Sequence, residues 1–147
     1  MIIDKLLSPA IDSALSVLTV STQTLGTAMD WGSARNQGLL STPYGPGWEI
    51  NVRGATSGGA ATLTLLLVTD DNAAFSSATT LYTTGAIALA SLVTYDLWVP
   101  LPNVTTWERY VGWRATVGTA VFTGGTLSVE YAANNRNYRA YPAQGNM

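Results

Sequence analysis

The chain has 147 residues, of which 47% are hydrophobic and only 11% charged, with seven basic and nine acidic side chains and a net charge of −2. It contains no cysteine and no histidine, which excludes disulfide scaffolds, thiolate or imidazole metal sites, cysteine nucleophiles and a Ser-His-Asp triad. The length fits one domain with one core, and the composition favours a binding or structural protein, with carboxylate-based catalysis formally open.

The opening stretch Met1–Val20 is apolar, but Asp4, Asp12 and Pro9 interrupt it, so it does not read as a signal peptide. No run approaches the roughly 18 apolar residues of a membrane span. The expected site of synthesis is therefore a cytoplasm, or something assembled there. Ala14–Ser21 is apolar and β-branched and reads as a first strand. Thr27–Gly47 is rich in Gly, Pro and Ser and reads as a long loop, of the kind that is functional or docked on something. Trp48, Ile50 and Val52 alternate with Glu49, Asn51 and Arg53, the period-two pattern of a half-buried strand.

Ala61–Thr69 predicts a central strand buried on both faces, and Thr79–Thr83 and Ala86–Leu89 shorter ones. Between them, Asn72–Ser77 is a candidate helical turn. Tyr95, Leu97 and Val99, then Val111, Trp113, Ala115 and Val117, then Leu127, Val129 and Tyr131 each alternate with polar neighbours. Turn chemistry separates these runs at Ser57-Gly58-Gly59, Asp70-Asp71-Asn72, Thr84-Gly85, Pro102-Asn103 and Thr123-Gly124-Gly125. About eight short strands so punctuated predict an all-β jelly-roll sandwich. An immunoglobulin-like sandwich is the runner-up, without its Cys-Trp-Cys core. The expected division is an N-terminal arm 1–13, a sandwich 14–133 and a C-terminal arm 134–147.

A monomer of 15.5 kDa exposes about 7,200 Å², so its sixteen charges stand at roughly one per 450 Å². An average composition supplies about one per 200 Å². Such a surface is weakly protected against association, and the sparse charge implies faces that are covered by copies of the chain or by another protein. No charge falls between Arg53 and Asp70, between Asp71 and Asp96, or between Arg114 and Glu130. With one lysine and a pI near 4.8, the chain lacks the clustered bases that phosphate neutralisation requires, so no nucleic acid is expected as partner. The one basic cluster, Arg136 and Arg139, lies among asparagines and tyrosines in the tail.

Several groups could carry chemistry. Asp70-Asp71-Asn72 could bind calcium or form an Asx turn with an N-cap. A hydrolytic carboxylate pair could be drawn from Asp30, Glu49, Asp96, Glu108 and Glu130, although Glu49, Asp96 and Glu130 fall on the polar phase of their strands and are expected on exposed faces. Of five tryptophans, Trp48 and Trp113 are expected in the core. Trp98 and Trp107 are expected at the surface, either as sugar-stacking platforms or as protein contacts. No cofactor or metal is expected.

Four segments resemble the small capsid cement (decoration) proteins of short-tailed bacteriophages, the Bordetella-phage type. They are Met1–Leu7, Gly59–Thr64 leading into Thr69–Ser77, Glu108–Trp113, and Gly124–Leu127 followed by Asn135–Pro142. The ordered set covers most of the chain. Gly32–Gly47 departs from it, being longer and richer in Gly and Pro. The resemblance implies a non-enzymatic jelly roll on the outer capsid surface of the virion, bridging subunits of the major capsid protein and associating with itself as a dimer or trimer. With that role, the expected contact residues are Ile2, Ile3, Leu6, Leu7, Trp98, Trp107, Arg136, Tyr138, Arg139 and Tyr141. The alternative is a carbohydrate-binding or receptor-binding module of a virion that uses Trp98 and Trp107.

Overall fold

The computed structural model describes residues 3–4, 9–32, 46–102 and 107–132. Among the described residues ten strands follow one another: β1 (Ile3–Asp4), β2 (Ala10–Ala14), β3 (Thr22–Asp30), β4 (Gly47–Ser57), β5 (Thr62–Asp70), β6 (Thr79–Thr83), β7 (Ile87–Ala88), β8 (Thr94–Pro100), β9 (Tyr110–Gly118) and β10 (Phe122–Ala132). They form two sheets in which every pairing among the described residues is antiparallel. One sheet runs β2-β10-β4-β8, with β1 also on β10; the other runs β3-β9-β5-β6, with β7 also on β5. These are the strand orders of a jelly roll, so the expected fold class holds.

The core is the set of alternating apolar residues read from the sequence. Trp48, Ile50 and Val52 of β4 and Leu127 and Val129 of β10 face Leu63, Leu65 and Leu67 of β5 and Val111, Trp113, Ala115 and Val117 of β9, all buried. Each such side chain contributes about 1.5–3 kcal/mol on burial. Gly112 sits where β9 passes under Phe75: an added Cβ would lie 2.5 Å from the Phe75 ring, so only glycine lets that ring pack there.

Three expectations are corrected. Ala14–Ser21 is the end of β2 followed by a 3₁₀ turn, Leu15–Val17; Leu15 and Leu18 are the buried residues, and their spacing of three suits a 3₁₀ turn rather than a strand. Thr27–Asp30 belongs to β3 and not to a loop. Its alternation is hidden by the register shift between Leu25 and Met29. Asn72–Ser77 forms turns and no helix, because Asp70 accepts the N–H groups of Asn72 and Ser77 and Phe75 has φ 52°. In addition, β2 starts at Ala10, inside the stretch expected to be an arm.

Candidate functional site

The strand directions sort the connections to two ends of the sandwich. At one end lie residues 15–21 between β2 and β3, 58–61 between β4 and β5, 84–93 between β6 and β8, and 119–121 between β9 and β10. They are laced together. The Ser57 hydroxyl donates to the Val121 carbonyl at 2.7 Å; Leu89 N–H donates to the Ala61 carbonyl and Val117 N–H to the Ser21 carbonyl, both at 3.1 Å. The three uncharged stretches of the sequence, with a fourth between Asp12 and Asp30, supply all four connections. This end therefore has no charge in any connection, and it carries four exposed valines: Val17 (68% exposed), Val20 (51%), Val93 (53%) and Val121 (49%). A cleft of about 240 Å³ beside Val17 runs between the edges of β2 and β3, lined by Pro9, Ala10, Leu18, Leu25 and Leu127.

The opposite end holds the Asp30–Arg109 pair and the acids Asp70, Asp71 and Glu108. Arg109 donates from Nε and Nη2 to the two oxygens of Asp30, at 3.0 and 2.7 Å. That bond, helped by the Gly32 N–H, lowers the Asp30 carboxyl to about 2. Asp70, Asp71 and Glu108 bring carboxylate oxygens within 4.8 Å of one another. Burial pushes the Asp70 carboxyl up, but N–H donation from Ser77 (2.8 Å) and Asn72 (3.1 Å), with help from Asp71 and the Ser77 hydroxyl, leaves it below the usual value. Asp71 is raised because it donates to Asp70 and feels its charge. With both oxygens of Asp70 accepting from residues 72 and 77, the group forms the Asx turn, one of the two sequence readings.

The same end is plugged by aromatic rings. Trp107 stacks on Trp31 (5.3 Å, 9°), Trp31 stacks on Trp48 (6.5 Å, 17°), and Trp48 meets Trp113 and Tyr131 edge-on at 5.8 and 5.5 Å. Trp107, expected at the surface, is thus buried (2% exposed) and donates Nε1–H to the Pro102 carbonyl at 3.2 Å. It sits just ahead of β9, where the gap between the sheets receives its ring. Trp98 is half-buried on the outer face of β8, its ring over Gly47, where an added Cβ would lie 2.9 Å from Cζ2. The two rings do not make a pair of exposed platforms.

Of the remaining expected contact residues, Ile3 lies in β1, opposite Ala132. Ile2, Leu6, Leu7, Arg136, Tyr138, Arg139 and Tyr141 lie outside the described residues. Among the candidate acids, Asp96 is bonded by Arg53 and Asp30 by Arg109. Glu49 and Glu130 do face away from the core, but both are buried, which corrects the expectation of exposure. They stand directly opposite one another, and Trp98 stands opposite Glu49. The sequence reading missed Val17, Val20, Val93 and Val121. The charge-free stretches were the signal, but only the strand order brings them together.

A two-sheet jelly roll with one charge-free end defines the class of molecule. A protein-family model, Bbp16, matches residues 14–131, so the chain belongs to the Bbp16 family, whose name points to a protein of a Bordetella phage. No curated protein matches the chain.

Proposed function

We propose that this chain is a cement (decoration) protein, which binds the outer surface of a phage capsid and stabilises the shell by bridging subunits of the major capsid protein. It works without catalysis or cofactor and associates with itself as a dimer or trimer. The observation that carries this reading is the charge-free end with its four exposed valines. Apolar contact stabilises by about 25 cal/mol per Å², and many such contacts linked by one shell add through avidity. A face without charge meets a protein wall with no ion to desolvate. The net charge of −2 favours the outer side of the shell, away from packaged DNA.

The test uses the purified full chain and undecorated shells of the phage that encodes it. Saturable binding at a fixed ratio to the major capsid protein, with a raised shell disruption temperature, is the expected result. A virion should then carry hundreds of copies. Failure to bind shells, with saturable glycan binding by the isolated chain, would transfer the function to receptor recognition.

A further inference from the structure

Charge is scarce on one whole face of the molecule as well as at one end. β3 as far as Met29, β5 as far as Thr69 and all of β6 carry no charged side chain. These strands form one sheet with β9. On the side of that sheet turned away from the core, Arg114 of β9 stands between Thr24 of β3 and Leu66 of β5, and Thr83 of β6 is next in the row. The adjacent row holds Thr22, Thr116 and Thr64, and Gly118 and Thr62 follow. One cation is thus set in a field of threonine hydroxyls and methyls. It is part-buried: its Nε is out of contact with water and meets no acceptor, and the guanidinium forms no ion pair among the described residues.

No acidic side chain of this chain answers it. The sequence has nine, and the fold assigns each a place. Asp30 binds Arg109 and Asp96 binds Arg53. Asp70, Asp71 and Glu108 form the cluster at the end away from the valines. Asp4, Asp12, Glu49 and Glu130 belong to β1, β2, β4 and β10 of the other sheet. Asp70 lies four residues along β5 from Leu66, about 13 Å away, with both oxygens accepting from residues 72 and 77. A cation partly withdrawn from water, with no counter-charge in its own chain, is satisfied when another molecule brings one.

The face also restricts what that molecule is. One cation does not neutralise a phosphate backbone, and no exposed ring stands beside Arg114 for a sugar to stack on. Four strands and five residues span about 15 Å each way, an area of about 200–300 Å². A complex held by a single interface needs about 800 Å² from each partner. The occupant is therefore a protein surface that another contact already holds in place.

We propose that this face is a second docking surface, on which a neighbouring subunit of the major capsid protein sets one carboxylate against the guanidinium of Arg114. The inference rests on the cement reading: a chain that bridges subunits needs two contact surfaces, and the charge-free end is the first. An arginine ringed by neutral contacts that exclude water is where a small interface concentrates its affinity.

Co-sedimentation of the purified full chain with undecorated shells tests it. Arg114→Gln should weaken binding at least tenfold, as loss of a charged hydrogen bond does, and Arg114→Lys, which keeps the charge, should lose less. Thr24→Glu places a carboxylate about 5 Å from Arg114 across the β3–β9 pair, at an exposed position. It should occupy the arginine and weaken binding as much as Arg114→Gln, with Thr24→Gln within threefold of wild type; this variant carries the test if Arg114→Gln does not fold. In decorated shells, a carbodiimide should couple the amine introduced by Arg114→Lys to a carboxylate of the major capsid protein, read by mass spectrometry. Wild-type affinity in both Arg114→Gln and Thr24→Glu overturns this surface and leaves the cement reading standing. Absence of binding by the wild type removes both. Coupling to a second copy of this chain, or to nothing, overturns the assignment to a capsid subunit.

Discussion

Substituting Val121→Asp puts a carboxylate at the tip of the charge-free end. At their fractional exposures, the four valines there together offer a little over two full valine side chains, about 3 kcal/mol of transferable apolar burial. At 1.4 kcal/mol per decade that is roughly a hundredfold in affinity for each copy. Val121 supplies about 0.7 kcal/mol of it, and an ionised carboxylate facing a dry wall costs roughly 2–3 kcal/mol more. Val121→Asp should therefore weaken binding to undecorated shells about a hundredfold. The fold should barely notice: the side chain is half-exposed in a turn, and such changes stay within about 0.5 kcal/mol. Co-sedimentation with shells measures the first effect and urea unfolding the second. Ala73→Asp, at an exposed position on the opposite end, is the control. Unchanged shell affinity of Val121→Asp, or an equal loss in Ala73→Asp, would refute the assignment of this end to the shell.

Three further outcomes follow from the geometry. Gly112→Ala drives a methyl into the Phe75 ring and should cost about 1–3 kcal/mol in urea unfolding, with loss of near-UV signal from the turn at 70–77. Trp107→Ala should cost about 3–5 kcal/mol, because the ring is buried in the stack, whereas Trp98→Ala should cost markedly less; equal costs would contradict the placement of the two rings. The Asp30 carboxyl lies below its unfolded value of 3.8, at about 2. Its contribution is fully present above about pH 4 and lost as pH falls through 2. The difference in thermal unfolding between the wild type and Asp30→Asn should be flat from pH 5 to 8 and vanish on approach to pH 2. A difference that disappears already near pH 4 would contradict the Arg109 bond.

Four strands were legible because their apolar residues alternate with polar ones, β4, β8, β9 and β10; β5 and β6 were legible as short apolar and threonine-rich runs between turn signals. The segment β3 was not, because the register shift after Leu25 breaks the alternation that identifies a strand. Leu15 and Leu18 carry an apolar signal that period two misreads, since a 3₁₀ turn buries every third residue. Trp107 was misplaced for a different reason: whether a ring at a strand entrance points outward or between two sheets depends on Trp31, which lies 76 residues earlier in the chain.

By itself the amino-acid sequence determined the β class, the alternating part of the core in β4, β9 and β10, the scarcity of charge and the stretches from which charge is missing. Those are properties of composition and of local period, and each can be read within about ten residues. Only the tertiary structure decided that the four uncharged connections meet at one end, that the glutamates of β4 and β10 face each other, and that Trp107 closes the opposite end. These are juxtapositions of residues far apart in the chain. In a two-sheet antiparallel fold they are set by which strands pair and in what register, and local periodicity carries no record of either.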